Sequence, residues 1–246
     1  MTSNQLSEKP HINSSILNNL AWNETVAYLR NIEALRKIQR DIASKVIVQD
    51  NFKSPPSTVA GVDLAFLEED GIAACAAMDY PPRQLIEAKQ TITHLTFPYV
   101  PTFLTFREGP AILEVISSMR SKIDVLLVNG QGIAHPLRCG LASHVGVVNK
   151  LPTIGVASSR LVGEYDVPQN EGEAAPLEDQ GDRVGWVLKS QLCSKPIFIS
   201  PGHLVGLDAS LRIVKDCIRG HRLPEPLRMA HYYANHMKRE LEPSRT

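Results

Sequence analysis

A chain of 246 residues carrying 26 basic and 26 acidic side chains is long enough for one large domain with a sizeable core. The charge balance excludes a surface that is basic throughout, so an anionic partner must be held by a local patch. Cys75, Cys139, Cys193 and Cys217 form no CxxC pair, which argues against a zinc site and a disulfide framework.

Residues 1–22 are polar, rich in Ser and Asn, and lack the apolar centre of a signal peptide, so a disordered tail is expected there. No run is long enough to span a bilayer, and a cytoplasmic protein without membrane contact is expected. Residues 23–240 are expected to form a single domain. "NETVAYLRNIEALRKIQRDIASKVI" aligns Leu29, Ile32, Leu35, Ile38 and Ile42 on one face of an amphipathic helix, with Arg36, Lys37, Arg40 and Lys45 opposite.

"TVAGVDLAFL", "GIAACAAMDY" and the weaker "QLIEAKQTITHL" read as three strands joined by short turns, an antiparallel meander. "GPAILEVISSMRSK" predicts a helix with Pro110 in its first turn. A buried strand from Val125, a helix through "LASHVGVVNK" and a strand "LPTIGVA" follow, an alternation that implies parallel crossovers. An acidic loop is expected from about Asp166 to Asp182. Strands "RVGWVLKS" and "KPIFIS" come next, then a helix with Leu211, Val214 and Ile218 in phase, and a last helix from near Pro226. The expected fold is α/β: a mixed sheet, antiparallel meander followed by parallel strands, with helices on both faces. Ribonuclease H-like nucleases share that plan with other folds, so architecture alone leaves activity open.

Several side chains stand out against this frame. Asp63 interrupts an apolar strand, where burial is costly unless the carboxylate is paired or meets a cation; the alternative is a strand edge facing water. Asn129 ends the strand "IDVLLVN", where metal chemistry would ordinarily want a carboxylate. Glu108 stands just before the expected helix start, where an acid can also simply satisfy the dipole. His203 follows a buried strand and a Pro-Gly turn, while His135 and His144 are as readily core histidines. Taken together, Asp63, Glu108, Asn129 and His203 are expected to converge on one point suited to Mg²⁺, which needs only one or two carboxylates. In "FPYVP", Pro98 and Pro101 stiffen the chain around Tyr99, as a side chain inserted between bases requires; packing of a loop on the core is the alternative. The Asn129–Gly130 pair is also a candidate for deamidation, which would restore a carboxylate.

The stretches "VAGVDLAF", "FPYVPTFLTFREGP", "GQGIAHP", "GLASHVG", "LPTIGVA", "KPIFISPGHL" and "RLPEPLRMAH" resemble, in order, the endonuclease V family of deoxyinosine-directed repair endonucleases. The resemblance covers roughly Asn31 to Lys238. It implies a ribonuclease H-like fold and a Mg²⁺- or Mn²⁺-dependent phosphodiesterase. Such enzymes cut the second phosphodiester 3′ to a deaminated base in DNA, and some members cut RNA. By motif it implies Asp63 as metal ligand, Glu108 as second acid, Asn129 at a further ligand position, and His203 beside metal and phosphate. His135 would support the site. Tyr99, flanked by Pro98 and Pro101, would be the wedge, and a flipped hypoxanthine would sit near Leu104, Gly140, Leu141 and Gly155.

Two positions depart from the family pattern. Asn129 replaces an aspartate before "GQG", and Ser158 replaces the lysine of "GVAKS" near the reacting phosphate. An amide holds a divalent ion weakly, and loss of one charge-stabilising group costs about 10²–10³ in rate. Two readings follow: a weakened nuclease acting as a monomer on nucleic acid, or an inosine-binding protein that keeps pocket and wedge without cutting.

Overall fold

In a computed structural model of the protein, residues 22–242 are described, with side chains from residue 31 onward. The expected tail lies outside them except for Trp22. Two compact units are distinguished, Met1–Ile38 and Gln39–Thr246. Helix α1 (Trp22–Ala43) begins in the first and ends in the second. Ile38, expected on its apolar face, is exposed, and Gln39 takes the buried position. The physical reason is a hydrogen bond: the Gln39 amide donates to the Thr102 carbonyl at 2.6 Å, which pairs the buried N–H donor where an apolar side chain was expected.

The second unit is built on an eight-stranded sheet. Strands β1 (Thr58–Leu67), β2 (Asp70–Asp79) and β3 (Leu85–His94) form the antiparallel meander. β4 (Val125–Asn129) and β5 (Thr153–Ala157) add in parallel to β1. The sheet continues antiparallel through β8 (Ile197–His203), β7 (Asp182–Leu188) and β6 (Ala174–Asp179), giving the order β3-β2-β1-β4-β5-β8-β7-β6. This is the mixed, ribonuclease H-like sheet expected from the sequence.

The period-2 alternation of the strands sends successive side chains to opposite layers. Ala60, Val62, Leu126 and Val128 pack against α2 (Leu104–Ser118) and α3 (Leu141–Asn149). Val59, Leu127, Ile154 and Val156 meet α4 (Leu207–Asp216), with Leu227 of α5 (Glu225–Leu241) in the same cluster. Because β1, β4 and β5 are covered on both faces, they read as nearly continuous apolar runs.

Three expectations need correction. The acidic loop ends earlier than expected, because residues 174–179 form β6, paired to β7 across a turn at Gln180 and Gly181, both at positive φ. Its segment "AAPLED" has little intrinsic strand preference and is held by the burial of Ala175 and Leu177. Helix α2 starts at Leu104, so Pro110 is interior and Glu108 lies within the helix rather than before it. Burial of Thr105, Ala111, Ile112 and Val115 along one face outweighs the cost of the proline. Finally, Ile218 lies past the end of α4, whose buried face is Ala209, Ser210, Ile213 and Val214. Among the described residues no helix is long and apolar enough to cross a membrane.

Candidate active site

Parallel pairing of Val62 with Val128 brings the next residues, Asp63 and Asn129, side by side. Both point to the layer that holds α5, because they share parity with Val59 and Leu127. Asp63 is only 6% exposed. Its Oδ1 accepts hydrogen bonds from the Asn129 side-chain amide at 2.6 Å and the Leu64 N–H at 2.9 Å. Its Oδ2 meets Nδ1 of His231 at 2.8 Å. That bond raises the His231 pKa above the ordinary imidazole range. α5 comes close enough to deliver His231 because it crosses β1 at a glycine: a Cβ on Gly61 would stand 2.3 Å from the backbone of Pro226.

Glu108 reaches the same place from α2. Burial, and after it the charge of Asp63, pushes its pKa up to about 8. A carboxyl so placed is one that a cation would return to its charged form.

Asp63, Glu108 and Asn129 line a cavity of about 400 Å³. Tyr99, Pro101, Leu104, Gly140, Leu141 and Ser158 also line it, and Tyr99 is 65% exposed. One expected member does not. Gly155 is buried beneath the 130–132 loop, where a Cβ would stand 2.3 Å from the Gly132 nitrogen, and Pro98, expected to stiffen the Tyr99 turn, stands outside the lining. Gly155 makes room for the loop rather than for a ligand.

His135 lines the cavity but is almost fully buried. Its Nδ1 accepts from the Leu137 N–H at 3.1 Å, so Nε2 carries the proton and donates to the Thr102 carbonyl at 3.0 Å. Burial holds its pKa below the usual range. The ring therefore steadies Thr102, which adopts a left-handed φ of 69° between the Tyr99 loop and α2. His144 packs edge-on against Phe106.

His203 is not part of the cluster. It pairs with Thr153 at the start of β5, whereas Asn129 pairs with Val156. The two levels differ by three residues of strand, about 10 Å, and two strand spacings separate β4 from β8. Nδ1 of His203 accepts from the Ile47 N–H at 3.2 Å instead. The histidine beside the carboxylates is His231, which sequence reasoning passed over. Its one signal was its place at the end of "RLPEPLRMAH". Deamidation of Asn129 is also opposed: the Gly130 N–H that would attack the side chain donates to the Val156 carbonyl at 3.2 Å.

Two carboxylates and an amide oxygen are hard donors of the kind that suit a small divalent ion completed by water. They fit such an ion in chemistry, although among the described residues no group of three His, Cys, Asp or Glu side chains is arranged to hold one. As arranged, the Asn129 amide turns its N–H to Asp63 and must rotate to offer its oxygen.

Comparison with known proteins gives the site a context. The family model described as Endonuclease V matches residues 40–232. The endonuclease V structure from Streptomyces avermitilis is 34% identical over 86% of this chain and 94% of its own, with a TM-score of 0.79. The catalytic domain of human endonuclease V is 30% identical over 86% and 97%, with a TM-score of 0.80. Ciona intestinalis endonuclease V, in complex with a 24mer DNA containing an inosine followed by a ribo-adenosine, is 25% identical over 87% and 100%, with a TM-score of 0.75.

Proposed function

This chain belongs to the endonuclease V family of nucleases, and from that membership we propose that it is a metal-dependent monomer that hydrolyses the second phosphodiester 3′ to hypoxanthine in nucleic acid, at a reduced rate. The observation that carries this reading is the meeting of Asp63 and Glu108 at a cavity whose wall includes the exposed Tyr99. In this reading Tyr99, stiffened by Pro98 and Pro101, fills the gap left by the extruded base. The base enters beside Leu104, Gly140 and Leu141. Its extrusion costs a few kcal/mol and is easiest for a mispaired or damaged base.

Asp63 and Glu108 would hold Mg²⁺ or Mn²⁺, which when bound polarises the phosphate and activates water. His231 is the chain's own proton store. Asp63 favours its charged form, so it can protonate the departing 3′ oxygen. The reduced rate has two sources in this reading, the missing lysine at Ser158 and the amide of Asn129. Its N–H occupies the Asp63 oxygen that an ion would take, and its amide brings no charge to replace it.

The same hydrogen bond favours a second reading, in which the protein binds the lesion without cutting. A gel shift paired with cleavage of one inosine-containing strand, as DNA and as RNA, in Mg²⁺ and in Mn²⁺, separates the two. Metal-dependent nicking is the expected result. Selective binding without any nicking would establish the second reading, and neither would overturn both.

A further inference from the structure

A phosphodiester brought to Asp63 and Glu108 is an anion placed beside two acids, so something in the cavity wall must answer its charge. Arg107 donates to the Phe97 carbonyl at 2.7 Å and lies over the Phe66 ring. Arg138 is ion-paired with Asp179 at 2.6 Å. Arg222 spends Nε and Nη2 on the carbonyls of Lys195, Ser158 and Pro196, and Nη1 reaches Ser158 Oγ. None of the three lines the cavity that holds Asp63 and Glu108, and Arg138 and Arg222 are engaged elsewhere.

Arg160 does line the cavity that holds Asp63, Glu108 and Asn129. One of its five N–H groups is used, on the Gly163 carbonyl at 2.9 Å, and its plane lies 5.9 Å from the Tyr165 ring centre. Among the described residues it makes no ion pair. Its root is nevertheless fixed. The carbonyl of Ser158 is held by Arg222 at 3.0 Å, and that of Ser159 by the Gln131 amide at 2.9 Å. A free fork on a pinned backbone is the arrangement that suits bidentate contact with phosphate. Arg160 also borders a wider cavity of about 800 Å³, together with Glu164, Asp166, Glu178 and Asp179.

We propose that Arg160 is the substrate-phosphate ligand of this site, its guanidinium binding the non-bridging oxygens of the phosphodiester beside Asp63 and Glu108. The inference rests on the nuclease reading above. Arg222 and Gln131 are positioning residues, since they act on the phosphate only through the backbone that carries Arg160.

The test compares wild type, Arg160→Gln, and Arg160→Gln combined with Ser158→Lys. Single-turnover cleavage and the salt dependence of binding are measured on an inosine-containing DNA strand. Loss of the cation should slow cleavage by about 100-fold, and Ser158→Lys should recover at least about tenfold by returning a charge to the same loop. The slope of log K against log salt should become shallower by about 1. Arg160→Gln that cleaves within about threefold of wild type overturns the proposal, because a stabilising donor is worth far more than that. A slope unchanged by the substitution also overturns it, whatever happens to the rate. If wild type does not cut but the slope falls with Arg160→Gln, the phosphate contact stands and the nuclease reading falls.

Discussion

At the scale of single residues, Asn129 and Glu108 give the sharpest tests of the site. Asn129→Asp replaces a donor to Asp63 with a second carboxylate at hydrogen-bond distance. Without metal the two charges repel and the fold should lose stability. With Mg²⁺ or Mn²⁺ present, single-turnover nicking should rise by about 10²-fold, the worth of one stabilising group. An Asn129→Asp chain no faster than wild type would remove this amide from the chemistry. Glu108 makes a separate prediction in metal-free buffer. Its pKa in the folded chain is raised to about 8, while in the unfolded chain it ionises in the ordinary carboxyl range. Between those values the native state holds a proton that the unfolded state has released, so stability falls as pH rises through the window. His231, also raised, acts in the same direction. Urea midpoints from about pH 5 to about pH 8 should decline for wild type, and Glu108→Gln should flatten the decline.

At the scale of elements, the site depends on how closely α5 lies over β1. Gly61→Ala would drive a methyl group into the Pro226 backbone. The helix must then lift, at a cost of about 1–3 kcal/mol for overpacking, and His231 leaves Asp63 with it. Urea unfolding and cleavage should both register the change. Unaltered cleavage would show that the Asp63–His231 bond is dispensable. The same dependence on packing explains α2 and β6, since an interior proline and a weakly strand-forming segment are both held by the layer they cover.

At the scale of the whole molecule, the second unit is organised around strands closed on both faces, with β3 and β6 at the sheet edges. Opening should therefore begin at the margins. Amide hydrogen exchange should find the slowest protons in β1, β4 and β5, which carry Asp63 and Asn129, and faster exchange in β3, where Ile86 and Ile92 are exposed. Exchange in β4 as fast as in β3 would contradict this hierarchy and leave Asn129 without a rigid support.

Local pattern alone determined much of this protein. Apolar runs and turns specified the meander and the parallel strands, and the strand interrupted by Asp63 and the stiff turn around Tyr99 marked two parts of the cavity before any packing was considered. Those features are written in neighbouring residues, because strand alternation and turn chemistry depend on the next few side chains. What the chain could not show in one dimension was register and crossing. His203 follows a buried strand as a ligand should, yet antiparallel pairing carries it to the wrong level of the sheet. His231 looks like one more helix residue until Gly61 lets α5 settle onto β1, 168 residues away from it to Asp63 along the chain. Glu108 likewise acquires its raised pKa only when burial and the charge of Asp63 act on it together. Such long-range contacts are fixed by packing between layers, and only the tertiary structure contains them.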